Sequence, residues 1–159
     1  MKLEYRMYFF VPYQLTGIQG GIQSLHASTV YAREYRKNKD YKQWETKDFT
    51  VIVLNGGTTN TNKKRLGTLN VALDTIRSLD VKTADFYEPD LGDQLTSFCF
   101  LVDNRVWDKK MFPDFKFPIT PEAEKTKEYN VWRKTFSGDK KEANKIIFLR
   151  NYLKNFKLA

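Results

Sequence analysis

The sequence predicts an α/β fold, a four-stranded mixed sheet with helices packed on it over residues 1–103, followed by a helical C-terminal extension over 104–159. Three observations predict it. Short apolar runs alternate with longer stretches of helical periodicity, the pattern of a sheet built with crossover helices. The fourth apolar run follows the third too closely for a crossover, so it pairs antiparallel and makes the sheet mixed. The last third then changes character, with prolines first and apolar residues at helical spacing after them.

Met7 to Val11 is short, apolar and aromatic, and reads as a strand closed by Pro12. Thr16 and Gln19 have the spacing of a capping box, so a helix begins there and runs to about Lys37. Ile18, Ile22, Leu25, Thr29 and Ala32 are expected to form its buried stripe. Arg33 to Lys47 is charged, carries Trp44, and reads as the helix end and a second short element.

Phe49 to Leu54 is a continuous, β-branched apolar run, expected to be a strand covered on both faces. Asn55 to Asn62 is the strongest loop signal in the chain. Leu66, Leu69, Leu73, Ile76 and Leu79 then mark a helix over about 66–79. Thr83 to Tyr87 is the third strand, Glu88 to Leu95 a polar loop, and Ser97 to Val102 the fourth strand. In the extension, Asp103 to Pro121 is irregular, and Thr120-Pro121-Glu122 reads as a helix start with proline at the first helical position. Ser137-Gly138-Asp139 stops that helix and caps another, which carries Ala143, Ile146, Ile147, Leu149, Tyr152, Leu153 and Phe156. Lys140, Lys141, Lys145, Arg150, Lys154 and Lys157 are expected on its watered side.

A chain of 159 residues has the size of one domain, and its 15% aromatic content implies a core dominated by rings. The net charge of +8 favours phosphate-rich partners. No apolar run has the length of a membrane span, and no signal-peptide pattern opens the chain, so the expected location is cytoplasmic, without membrane contact. The single cysteine, Cys99, lies in an apolar run and is expected to be a buried free thiol. The abundance of Lys, Asn, Tyr and Phe suits an AT-rich genome such as that of many phages, which would make the compartment the host cytoplasm.

Three segments carry the candidate chemistry. Gln19, Gln23 and His26 fall at i, i+4 and i+7 near a helix N-terminus, where amides and dipole favour an anion. Gly20 and Gly21 allow a ligand close to that backbone, and Thr16 and Tyr13 lie beside it, the tyrosine as a ring for a base to stack on. Asn55, Gly56, Gly57, Thr58 and Thr59, followed by Lys63, Lys64 and Arg65, offer small residues and cations for phosphate after a strand. The spacing is not that of a Walker A loop. Tyr87, Glu88 and Asp90 end the third strand on the same sheet edge, where a carboxylate near His26 can act as base or set the imidazole tautomer. With one histidine and one cysteine there is no zinc set and no two-histidine phosphodiesterase. No cofactor is required; magnesium held by Glu88, Asp90 and a substrate phosphate is compatible with the sequence.

The order of elements, with Gln23-Ser24-Leu25-His26-Ala27 on the first helix, Trp44 before the second strand and Thr96 before the last, resembles the type 2 peptidyl-tRNA hydrolase family over residues 5–103. The resemblance implies that family's fold, a sheet edge suited to a nucleotide or RNA end, and a homodimer. It places Gln19 where the family carries a catalytic lysine, and Glu88 or Asp90 at its acidic position. His26 with Glu88 or Asp90 is then the expected acid–base set. The expected function is a phage anti-defence protein that cleaves or sequesters a cyclic dinucleotide immune signal. Two alternatives stand beside it: a peptidyl-tRNA hydrolase with altered catalytic residues, and a non-enzymatic basic module binding RNA or protein.

Overall fold

The computed structural model describes residues 2–118 and 120–159. It contains a four-stranded sheet of order β2-β1-β4-β3, formed by β1 (Tyr5–Pro12), β2 (Thr50–Gly57), β3 (Thr83–Glu88) and β4 (Gln94–Asp103). Strands β1 and β2 are parallel, and β3 and β4 antiparallel, so the sheet is mixed. The chain divides into two compact units, one of Glu4–Val102 with Phe156–Ala159, the other centred on Asp103–Asn155.

In the sheet unit, alternation along β1 sends successive side chains to opposite faces. Phe10 stacks on Phe98 at 4.8 Å between ring centres, and Phe156 meets Phe10 edge-on at 4.7 Å. Complete burial of a ring such as Phe10 is worth about 1.5–3 kcal/mol. Leu69 of α3 (Thr68–Ser78) closes over this same face, because a side chain on Gly56 of β2 would run into it. The opposite face carries Met7, Phe9, Ala84 and Cys99, packed with Ala27 and Tyr31 of α1 (Gly17–Tyr35) and with Tyr41 and Trp44. Burial raises the Cys99 thiol well above its usual range, so it stays an unreactive core group.

Helix α1 opens with the expected capping box: Gln19 N–H donates to Thr16 Oγ1, and Thr16 N–H donates to Gln19 Oε1. Its buried stripe is not the expected one. Gly20, Gln23, Ser24, Ala27 and Tyr31 face the sheet, whereas Ile18, Ile22 and Leu25 are 80%, 47% and 66% exposed. Gln23 and Tyr31 turn inward beside the small Gly20, Ser24 and Ala27, and Gln23 finds its partners there in Thr96 and Glu88.

Lys39–Gln43 forms the short α2, which passes into a π-helical turn over Trp44–Asp48. The Trp44 indole N–H donates to the Thr50 carbonyl at 3.0 Å and anchors the entry to β2. Phe49, expected inside that strand, precedes it with φ 54° and an exposed ring. Nor is β2 covered on both sides. It is an edge of the sheet's strand order and Val51 is half exposed, while Asn55 N–H donates to the Lys157 carbonyl and Ala159 N–H to that of Val53. Glu88, Gln94 and Leu95, expected in a loop, are strand residues joined through a 3-10 turn at Pro89–Leu91. Leu66 and Leu79 flank α3 rather than belong to it.

The second unit comprises α4 (Asn104–Trp107), a 3-10 turn at Ala123–Lys125, α5 (Lys127–Phe136) and α6 (Lys140–Leu153). Asp139 caps α6 as expected, but α5 begins at Thr126 and not at Thr120-Pro121, where Thr120 Oγ1 caps only the short turn. Arg150 is not on a watered side. It is 3% exposed and donates to the Arg105 and Phe112 carbonyls and to Asp114 Oδ1. Phe156 and Lys157 lie beyond the end of α6.

Candidate functional site

The best-defined polar cluster joins α1, β3 and β4. Register between β3 and β4 pairs Phe86 with Ser97 and Tyr87 with Leu95, leaving Thr96 as the extra residue of a bulge. A bulge re-aims a side chain, and here the Thr96 hydroxyl is turned to Gln23 and donates to its Oε1 at 2.6 Å. Gln23 Nε2 donates in turn to Glu88 Oε2 at 2.8 Å. A carboxylate only accepts, so the amide can satisfy Glu88 only with its NH2 on that side. Thr96 and Gln23 are buried and Glu88 is half-buried. Next to Thr96 on the strand, the fully buried Ser97 Oγ has no hydrogen-bond partner.

His26, one turn along α1 from Gln23, lies flat on Phe86, with ring centres 4.5 Å apart and planes at 19°. The expected His26–carboxylate pairing is therefore replaced by two separate contacts: His26 on Phe86, and Glu88 on Gln23. Asp90 sits exposed on the 3-10 turn. Among the described residues no group of three or more His, Cys, Asp or Glu is gathered as metal ligands. Gln19 is held at the helix cap, so Gln19, Gln23 and His26 have three different environments despite their common spacing.

A second feature lies where β1 and β2 end. A cavity of about 250 Å³ is lined by Tyr13, Thr16, Gly17, Gly20, Gly21 and Asn55, among others. The capping box uses the amide of the third helical residue and leaves the Gly17 and Ile18 amides at the positive end of the helix dipole. No acidic residue occupies that first turn. A Cβ at Gly17 or Gly21 would meet nothing within 4 Å, so the glycines are not demanded by the chain's own packing. They leave helix backbone bare at the cavity wall.

The segment from Asn55 to Arg65 divides. Asn55 Oδ1 accepts from Gly57 N–H at 2.8 Å, and Gly57 turns with φ 83° against Thr68. Gly56 and Gly57 thus serve the packing of α3 on β2. Thr58 and Thr68 exchange backbone-to-hydroxyl bonds, and Thr59 Oγ1 is buried without a partner. The Asn60 and Asn62 side chains accept from amides two residues on, so the loop satisfies much of its own backbone. Lys63, Lys64 and Arg65 are exposed. Lys63 shares with Tyr87, Thr61 and Asp74 a more open recess of about 400 Å³. Burial, then the charge of Asp85, raises the Tyr87 hydroxyl, which stays protonated at neutral pH.

The candidate residues therefore fall into three groups: Gln23, His26 and Glu88; Tyr13, Thr16 and Asn55; Lys63 and Tyr87. Each group joins two of the three segments, Gln23 with Glu88, Tyr13 and Thr16 with Asn55, and Lys63 with Tyr87, while neither of the two cavities gathers all three. Thr96 as a partner of Gln23 and Phe86 as a platform for His26 were not anticipated. The first depends on the bulge at Thr96, which has no signal in the sequence.

The chain matches no family model and no curated protein. Charge is unevenly shared. Thirteen Lys and Arg stand against eleven Asp and Glu in the sheet unit, and thirteen against eight in Asp103–Asn155. No helix among the described residues is long and apolar enough to cross a membrane.

Proposed function

We propose that this protein binds a phosphate-bearing nucleotide at the N-terminus of α1, on a fold of the type 2 peptidyl-tRNA hydrolase kind. The observation that carries the reading is the bare glycine turn of α1 beside a cavity of about 250 Å³, with uncommitted amides at its positive end. Phosphate oxygens accept from the Gly17 and Ile18 amides. Tyr13, Thr16 and Asn55 contact the ribose or base. A cyclic dinucleotide signal is the ligand class favoured here, and a phage anti-defence protein the role, the latter supported by composition alone.

Sequestration is the leading activity. His26 and Glu88 are each engaged elsewhere, by a ring and by an amide, and form no acid–base pair. Hydrolysis is the second reading, and one observation favours it: the Thr96–Gln23 relay holds Glu88 in a fixed orientation, as a general base requires. Incubation with cyclic dinucleotides followed by chromatography separates the two. Retention of intact ligand supports sequestration, and a linear product supports hydrolysis. Neither retention nor product removes this ligand class.

A further inference from the structure

The recess lined by Lys63, Asn70, Asp74 and Tyr87 lies in the sheet unit and shares no lining residue with the α1 cavity. Its volume of about 400 Å³ is that of a small-molecule site, and Leu73 gives it an apolar wall.

The polar groups of this recess are uncommitted. Asn70 is 8% exposed, and its Oδ1 accepts from the Asn60 N–H at 3.0 Å. That bond fixes which way the amide is turned, and its NH2 group has no partner among the described residues. Asp74 stands one turn along the same face of α3, about 5–6 Å away between Cβ atoms. Its carboxylate has no hydrogen-bond or ion-pair partner among the described residues. Lys63 lines the same recess, yet it does not pair with Asp74. The Tyr87 ring, 39% exposed, packs on no other ring among the described residues.

This set narrows the guest. An exposed aromatic ring beside an apolar wall takes a flat base. A carboxylate accepts through both oxygens, and guanine turns two donors, N1–H and N2–H2, side by side toward such an acceptor. Adenine, cytosine and uracil each set a lone pair against one of those oxygens. The guanine O6 stands next to N1 and accepts, which suits a fixed amide NH2 one helical turn from the carboxylate. Lys63, Lys64 and Arg65 are consecutive, exposed and in no ion pair among the described residues, as the phosphates of a nucleotide require. A free amino acid would engage one of these cations and leave the ring and the other two unused.

We propose that this recess binds a guanine nucleotide: Asp74 accepts from N1–H and N2–H2, Asn70 donates to O6, Tyr87 stacks on the base, and Lys63-Lys64-Arg65 hold the phosphates. The site stands whether or not the α1 cavity binds phosphate.

Calorimetric titration with guanosine, adenosine and xanthosine diphosphates tests it. Wild type is expected to bind the guanosine nucleotide at least about tenfold more tightly than the adenosine one, the discrimination of one bidentate base contact. Asp74→Asn supplies a gain as well as a loss. An amide offers one acceptor and one donor, which match N1–H and the C2 carbonyl of xanthine but not the paired donors of guanine. Asp74 is exposed, so the variant is expected to keep the wild-type circular dichroism spectrum and melting temperature. It is expected to bind the guanosine nucleotide about tenfold more weakly and the xanthosine nucleotide about tenfold more tightly than wild type does. Misfolding would not produce that gain. Equal affinity of wild type for the guanosine and adenosine nucleotides overturns the proposal, as does binding of neither. So does an Asp74→Asn variant with the wild-type preference between guanine and xanthine, wherever else on the protein the nucleotide then sits.

Discussion

Gln23 and Glu88, 65 residues apart in the chain, are joined side chain to side chain at 2.8 Å, and the amide that joins them is itself held by the Thr96 hydroxyl. The contact ties the buried face of α1 to β3 and β4. With Gln23 turned inward, Ile18, Ile22 and Leu25, which lie about 100–160° around the helix from it, point outward.

Gln23→Ala removes the nearer acceptor of the buried Thr96 hydroxyl and the donor to Glu88, and is expected to cost about 1–3 kcal/mol. Gln23→Glu sets two carboxylates against each other and is expected to be worse at neutral pH, with partial recovery as acid protonates one of them. Urea denaturation of both variants at neutral and mildly acidic pH checks the order. Equal stability of Gln23→Glu and wild type at neutral pH would show that the contact does not form.

The inverted helix makes a paired prediction. Leu25→Ala, on the exposed ridge, is expected to change the stability of the monomer by no more than about 0.5 kcal/mol. Ala27→Leu, fully buried against the sheet, is expected to cost about 1–3 kcal/mol through overpacking. Thermal melts at low protein concentration measure both. The reverse order would restore the stripe expected from periodicity.

The glycines divide in the same way. Gly21→Ala meets nothing within 4 Å inside a helix and is expected to stabilise by about 1 kcal/mol. Gly57→Ala combines a positive φ with a clash against Thr68 and is expected to destabilise by more than about 1 kcal/mol. Denaturant midpoints at matched slopes compare them.

Asp114 accepts from Arg150 and Lys154. Burial works against its charge, but these two hydrogen bonds outweigh it and hold its carboxyl below the usual range. A carboxyl lower in the folded state than in the unfolded one stabilises above the unfolded value, near 4, and loses that contribution as pH falls through the folded value. The helical unit is therefore expected to weaken below about pH 4. Asp114→Asn should flatten that part of the pH dependence, as followed by tryptophan fluorescence. An unchanged slope would contradict the assignment.

The mixed sheet and the helices were legible in sequence because they follow from periodicity and from gap length, which are local. The Thr16–Gln19 capping box was legible for the same reason. The rotation of α1 was not: hydropathy ranks Ile18 and Leu25 above Gln23, and the partners that receive the inward glutamine, Thr96 at the bulge and Glu88, lie far along the chain. Arg150 is a similar case. Its burial depends on carbonyls of Arg105 and Phe112, which no helical pattern in α6 can announce. Gly56 and Gly57 read as a phosphate cradle because a ligand and a neighbouring helix ask the same thing of a glycine, an absent side chain.

The most direct measurement is calorimetric titration of a cyclic dinucleotide into wild type, Gly21→Leu and Lys82→Ala. Gly21 lies on the cavity wall, where a leucine fills space beside the α1 amides, and Lys82 is exposed just before β3. The account predicts saturable binding by wild type and Lys82→Ala, and at least a tenfold loss for Gly21→Leu. No heat of binding with wild type, or equal affinity in all three proteins, would contradict it.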